Sequence, residues 1–181
     1  MDIQDLRKQI DKIDRQILDL LNKRAEIALE VGEHKAKTKK SVFTPERERQ
    51  VLSKVVAGNK GPLPDSAVQA IYGEIISASR ALEKPLAIVY WGPPATNTHM
   101  ASIARFGSSC QFVPVDTIPD VFSEVERERA DFGVVPIENS TEGVINHTLD
   151  TFLTSKLKIC SEIYLPITHN LLSLADDLSE I

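Results

Sequence analysis

The first stretch of the chain is patterned with the period of a helix. Ile3, Leu6, Ile10, Ile13, Ile17, Leu20, Ile27 and Val31 recur at alternating steps of three and four, with one gap at position 24. That spacing lays the apolar side chains along a single seam, as in a coiled coil. No proline occurs before Pro45, so the pattern predicts a helix to about residue 36, roughly 50 Å long at about 1.5 Å per residue. A compact domain of about 84 residues is only about 30 Å across. A helix that long cannot cover its seam with its own short chain, and a homodimer with intertwined helices is the economical answer.

The polar stretch Lys35–Ser41 is expected to end this helix. Thr44-Pro45-Glu46 then reads as a helix start, with a capping hydroxyl, proline at the first position and an acid in the first turn. Val51, Leu52, Val55 and Val56 supply the second helix with an apolar face, and Gly58-Asn59-Lys60-Gly61-Pro62 is a loop. A third helix is expected from a cap at Asp65 or Ser66, with Val68, Ile71, Tyr72, Ile75, Ile76 and Leu82 inward, ending before Pro85.

Beyond Pro85 the pattern shortens. Leu86–Trp91 is an apolar run closed by Gly92-Pro93-Pro94. A helix to about Phe106, a strand at Gln111–Val115, an acidic helix over about 118–130 and a strand at Phe132–Ile137 follow. A helix over roughly 143–154 and a strand near Leu157–Tyr164 complete the series. Strands alternating with helices imply a parallel sheet. The predicted fold class is α plus α/β: a helical domain at 1–84 and an α/β domain at 85–181.

Composition narrows the class. The chain has 181 residues, 42% hydrophobic and 26% charged, enough apolar content to bury a core and too much for a disordered chain. No apolar run approaches the ~20 residues of a membrane span, and Met1 opens directly into the charged stretch Asp2–Lys12, so neither a membrane nor a secretory leader is expected. Cys110 and Cys160 form no metal spacing, which points to a reducing, cytoplasmic setting and no metal. The net charge of −5 argues against a general nucleic-acid binder. It hides an asymmetry: residues 1–84 carry 16 basic and 13 acidic side chains, and residues 85–181 carry 5 and 13. Two halves of opposite sign suggest two units with different tasks.

Arg24 fills the gap in the seam. An unpaired buried cation is costly, so something anionic should meet it. A carboxylate from another helix would suffice, with Arg24 setting register. Lys35, three turns on, lies on the same face about 16 Å away, and the two long side chains together suit a small dianion. Arg7 is near that face but roughly 25 Å before Arg24; only from an antiparallel partner helix would it share the ligand. Arg47 and Glu48 open the second helix in line with its apolar residues, and Ser79 and Glu83 prolong the apolar stripe of the third. Each alone suits a helix emerging into water. Together they describe a cationic, water-poor pocket with two carboxyls and no nucleophile–base pair.

Leu6-Arg7, the Arg24 and Lys35 spacing, Arg47-Glu48-Arg49 and the run Glu74-Ile-Ile-Ser-Ala-Ser-Arg-Ala-Leu-Glu83 resemble the all-α chorismate mutases, in order and over residues 1–84. The resemblance implies an intertwined helical dimer that rearranges chorismate to prephenate without a cofactor. It also implies that Arg7 of the partner chain and Arg24 hold substrate carboxylate. Lys35 and Glu83 would bond the breaking ether oxygen, Arg47 would add positive charge, Glu48 would hold the ring hydroxyl and Ser79 a carboxylate. Thr44 stands where the family often has an acid. A Claisen rearrangement needs only a folded substrate and stabilised charge on the ether oxygen. Glu83 donates to that oxygen only when protonated, so activity should rise toward acidic pH.

In the second half, Gly92-Pro93-Pro94-Ala95-Thr96-Asn97-Thr98-His99 and Val135-Pro136-Ile137-Glu138-Asn139-Ser140-Thr141-Glu142-Gly143 both follow predicted strands, where open α/β sheets bind ligands. With Asn146-His147-Thr148 and Leu165-Pro166-Ile167-Thr168-His169-Asn170-Leu171-Leu172, they resemble prephenate dehydratase. Thr96, Thr98, His99, Asn139, Ser140 and Thr141 are thereby candidates to bind prephenate. Ala95 stands where that family's motif has glycine. Mutase followed by dehydratase is the order of the bifunctional enzyme family of phenylalanine biosynthesis. The Thr-Arg-Phe motif with the family's catalytic threonine does not occur here, nor does its phenylalanine-sensing domain, so the expectation is mutase activity with an incomplete, inactive dehydratase. The alternative class is a non-catalytic helical dimerisation module carrying a ligand-binding lobe.

Overall fold

A computed structural model describes residues 2–37, 43–141, 143–168 and 172–174. Helix α1 (Ile3–Lys37), α2 (Pro45–Ala57) and α3 (Asp65–Glu83) form the helical part. At 35 residues, α1 is about 52 Å long. It packs on α3, as does α2. None of its residues is buried: the predicted seam stays open to solvent, from Leu6 at 42% to Leu20 at 65% exposed. On α3, Ile71 and Leu82 are also exposed rather than inward, because α1 and α2 do not wrap that part of the helix.

Two predicted caps are replaced. The Thr44 side chain makes no capping hydrogen bond to α2; its backbone carbonyl alone accepts from the Arg47 and Glu48 amides. Neither Asp65 nor Ser66 caps α3. Pro64 holds the cap position with an extended backbone that suits a residue before a helix. Asp65 becomes the first helical residue, its carboxylate taken by the Asn59 side-chain amide at 2.7 Å.

The α/β part begins with β1 (Ala87–Trp91), α4 (Asn97–Phe106), β2 (Gln111–Val115), α5 (Ile118–Glu126) and β3 (Phe132–Val134). The three strands are parallel in the order β2-β1-β3. Central β1 is buried on both faces, as parallel strands under helices are: Ile88 and Tyr90 face one cluster, Val89 another with Val121 and Ala130. The short pair β4 (Glu138–Asn139) and β5 (Gly143–Val144) is antiparallel, and α6 (Asn146–Thr154) follows. The acidic helix ends at Glu126 rather than about 130, in a turn where Glu128 takes a positive φ of 57°. Strand β3 stops at Val134 rather than Ile137, since Pro136 has no amide to donate. The strand expected near Leu157–Tyr164 is not formed. That segment pairs with no described strand, and Ile159 and Tyr164 are 72% and 91% exposed. His169, Asn170, Leu171 and Glu142 of the sequence motifs lie outside the described residues, as do residues 38–42.

The two parts are joined by more than the chain. Phe43, just before α2, is buried in the sheet's core cluster with Leu86, Ile88, Tyr90, Phe106 and Val134. The carboxyl end of α4 docks on α3. Ser77 Oγ donates to the Phe106 carbonyl at 3.0 Å, Arg80 donates to the same carbonyl, and Glu74 accepts from the Ser108 amide and hydroxyl. Gly107 makes that approach possible. Its φ is +76°, and a Cβ there would lie 2.3 Å from Ser77 Cβ, so a side chain fails both in conformation and in space. Among the described residues no helix is long and apolar enough to cross a membrane.

Candidate active site

A cavity of about 260 Å³ opens between the three helices of the helical part. Its polar wall comes from Arg24 and Lys35 of α1, Thr44 before α2, Arg47 and Glu48 of α2, and Ser79, Arg80 and Glu83 of α3. Ile27, Ala28, Val31, Val51 and Ile76 form the apolar remainder. The six polar residues singled out on these helices therefore share one cavity, and Thr44 joins them. Each stands where a polar side chain interrupts or prolongs an apolar stripe, so the helices that bury the stripe carry it inward.

The groups are held in order. Arg24 Nη1 donates to Ser79 Oγ at 2.5 Å, and that hydroxyl donates to the Ile75 carbonyl at 2.7 Å. Among the described residues Arg24, the gap in the seam, thus meets a hydroxyl rather than a carboxylate. Lys35 Nζ stands 3.6 Å from Glu83 Oε2, an ion-pair distance too long for a hydrogen bond. That oxygen is buried and, among the described residues, makes no hydrogen bond. Gly32 gives it room: a Cβ at that position would lie 2.7 Å from Glu83 Cγ. A buried polar atom without a partner is costly, and here it sits on a cavity wall between two α-helices, beside a cation.

Glu48 is held from both sides. Its Oε1 accepts from Arg80 and its Oε2 lies 3.5 Å from Arg105 Nη1 of α4. Arg80 is not among the residues the sequence reading singles out, although a signal for it exists: it lies four positions after Ile76 on the inward stripe, as Arg24 lies on the seam. Arg7 is apart from the cavity, exposed near the start of α1.

Four cations and two carboxyls in a partly apolar cavity suit a small ligand with more than one negative charge. Among the described residues no three His, Cys, Asp or Glu side chains are grouped to hold a metal.

The second set of candidates is arranged differently. Because β1 and β3 are parallel neighbours, the loops after them leave the same end of the sheet. Within them most groups serve the fold. The Thr96 hydroxyl caps α4, accepting from the His99 amide at 3.4 Å and donating to the Pro93 carbonyl at 3.0 Å. His99 Nδ1 accepts from the Ala95 amide at 3.0 Å, and its ring stacks on Tyr90 at 4.7 Å; burial pushes the Tyr90 hydroxyl above the usual tyrosine range. Thr98 is buried. Asn139 Oδ1 accepts from the Thr141 amide at 2.9 Å, which leaves Ser140 and Thr141 exposed at the loop's tip. Ala95 takes a φ of 68°, a backbone that glycine adopts without strain.

Residues 6–84 match the family model for chorismate mutase type II, and residues 88–181 match that for prephenate dehydratase. A bifunctional chorismate mutase/prephenate dehydratase of Aquifex aeolicus is 49% identical over 184 residues, covering 99% of this chain and 51% of that protein. Its namesakes in Neisseria gonorrhoeae and Escherichia coli are 45% and 31% identical, over 92% and 97% of this chain and 45% and 50% of theirs. The chain thus spans about half the length of the curated relatives it matches. A solved chorismate mutase of Thermus thermophilus (form II) is 36% identical, covering 45% of this chain and 93% of that one, with a TM-score of 0.45. Two family matches end to end, in the order the relatives' names give, place this chain in the family of bifunctional chorismate mutase/prephenate dehydratases.

Proposed function

We propose that the helical cavity rearranges chorismate to prephenate. The observation that carries this reading is the buried Glu83 Oε2, without a hydrogen bond and 3.6 Å from Lys35 Nζ. The Lys35 ammonium and, with a proton on its carboxyl, Glu83 would present two donors to one point on the cavity wall. Charge developing on an ether oxygen there would be stabilised by groups already in place, at little reorganisation cost. Arg24, fixed by Ser79, would take one substrate carboxylate, with Ser79 beside it. Arg47 would add positive charge at the cavity mouth, and Glu48 would accept from the ring hydroxyl. Holding both ends of the substrate in the folded, reactive conformer supplies the rest of the acceleration. No cofactor enters this chemistry.

The exposed seam of α1 supports a homodimer. A second copy laid antiparallel along it would cover Leu6 to Val31 and bring its own Arg7 to the pocket near Arg24. Prephenate, the product, is the substrate class of the family matched by residues 88–181. The exposed Ser140 and Thr141, with the loop carrying Thr96 and His99, are the groups we assign to its binding. The free thiols Cys110 and Cys160 suit a reducing, cytoplasmic setting.

The test is to follow the ultraviolet absorbance of chorismate, with Arg24→Ala as control. Loss of chorismate by the wild type, strongly reduced in the variant, is expected. No loss would favour a non-catalytic dimerisation module. Phenylpyruvate formed from added prephenate, above the acid-catalysed background, would show dehydratase activity in this polypeptide.

A further inference from the structure

Glu48 belongs to the helical cavity, yet one of its two cations does not. Arg105 projects from α4 of the α/β part, and its Nη1 is 3.5 Å from Glu48 Oε2. Its Nε donates to Ser161 Oγ at 3.1 Å, and its guanidinium lies 5.0 Å from the Phe43 ring centre. Arg80 lies on the same ring at 5.1 Å and holds the other oxygen of Glu48. The side chains of Glu48, Arg80 and Arg105 are only 15%, 6% and 20% exposed. This is a partly desolvated cluster, in which an ion pair orients its members more firmly than on an open surface.

We propose that Arg105 is a positioning residue for the mutase pocket, acting through Glu48, so that docking of the α/β part tunes substrate affinity in the helical part. With Arg80 on Oε1 alone, the carboxylate is free to turn about its last torsion. With Arg105 on Oε2 it is fixed at both ends. Each carboxylate oxygen has a second lone pair, so both cations can stay in place while Glu48 accepts from the ring hydroxyl. That hydroxyl contact exists in ground and transition states alike, so loosening it raises KM more than it lowers kcat. The inference rests on the mutase reading and extends it to a residue outside the pocket.

The experiment measures KM and kcat for chorismate in the full chain, comparing wild type with Arg105→Gln, Arg105→Lys, Glu48→Gln and the double variant Arg105→Gln/Glu48→Gln. Arg129→Gln, which removes an exposed cation of the same part paired with Glu124, is the charge control. Arg105→Gln should raise KM about five- to tenfold, the loss expected for one charge-assisted contact of moderate length, with kcat within about twofold. Arg105→Lys should recover part of the affinity, and the control should match wild type. Because Arg105 acts through Glu48, the double variant should be little worse than Glu48→Gln alone. An unchanged KM in Arg105→Gln, or additive effects in the double variant, would overturn the proposal while leaving the mutase reading intact. If Arg105→Gln fails to fold, Arg105→Lys decides alone: it must raise KM while thermal stability is kept, and a wild-type KM overturns the proposal. A wild type that does not consume chorismate would sink the mutase reading and this inference with it.

Discussion

Replacing Gly32 with alanine should leave the fold intact and remove most of the mutase activity. The position lies inside α1, where glycine costs a helix about 1 kcal/mol relative to alanine. On helix propensity alone the variant gains stability. The added Cβ, however, would stand 2.7 Å from Glu83 Cγ and 3.0 Å from both Cδ and Oε2. These atoms belong to a flexible side chain at the edge of a cavity, so Glu83 gives way rather than the helix. Regaining ordinary contact needs a shift of roughly 0.7 Å, and a misplacement of about 1 Å at a reacting centre can cost 100-fold in rate. We expect kcat for chorismate to fall between about ten- and 100-fold while the melting temperature stays level or rises by a few degrees. Gly73, on α3, has nothing within 4 Å of its ideal Cβ, so Gly73→Ala should share the stability gain and keep the activity. Initial rates of chorismate loss and thermal unfolding of both variants decide the matter. A Gly32→Ala enzyme with wild-type kcat would refute the role given to Glu83, and parallel loss of stability and rate would mark Gly32 as structural only.

Glu83→Ala should lower kcat for chorismate about 100-fold, because it removes one of the two groups that face the ether oxygen. A Glu83→Ala variant with the wild-type kcat would count against that assignment. Arg7→Ala and Arg24→Ala should each be nearly inactive, yet after mixing and subunit exchange about a quarter of wild-type activity should return, since half the dimers then hold one intact pocket of two. No recovery despite proven exchange would refute the contribution of Arg7 across the interface. The wild type should sediment as a dimer, and Ile17→Glu, on the open seam of α1, as a monomer at the same concentration. Ala95→Gly should raise the unfolding free energy by up to about 1 kcal/mol in denaturant titration, by relieving the positive φ; a destabilised variant would contradict the turn geometry.

What was legible in the sequence follows from the reach of each physical signal. The seam of α1, the proline at the start of α2 and the alternation beyond Pro85 are local, and periodicity reads them directly. The pocket residues were legible for the same reason, since Arg24, Lys35, Ser79 and Glu83 each occupy a place the helical period reserves for an apolar side chain. Thr44 has the right chemistry for a cap, but its backbone, with φ −127° and ψ 86°, turns the residue to the cavity wall instead. The segment near Leu157–Tyr164 has strand-like composition, yet a strand exists only with a neighbour, and no sequence window contains that neighbour.

Arg105 and Phe43 lay beyond reach for a different reason. Phe43 is a lone aromatic beside a polar stretch, without periodicity to announce that it enters the core of the other part. Arg105 looks like an ordinary cation in the last turn of α4, where it also suits the helix dipole. Only the docking of α4 on α3, permitted by Gly107, turns it toward Glu48. The charge asymmetry acquires a more specific meaning from this. The acidic α/β part spends one of its five basic residues on a carboxylate of the basic helical part, so the charge balance at Glu48 is set partly from outside the pocket. Removing that contact leaves every pocket residue in the chain and still changes the pocket, which is why its effect must be sought in KM and in non-additivity rather than in loss of fold.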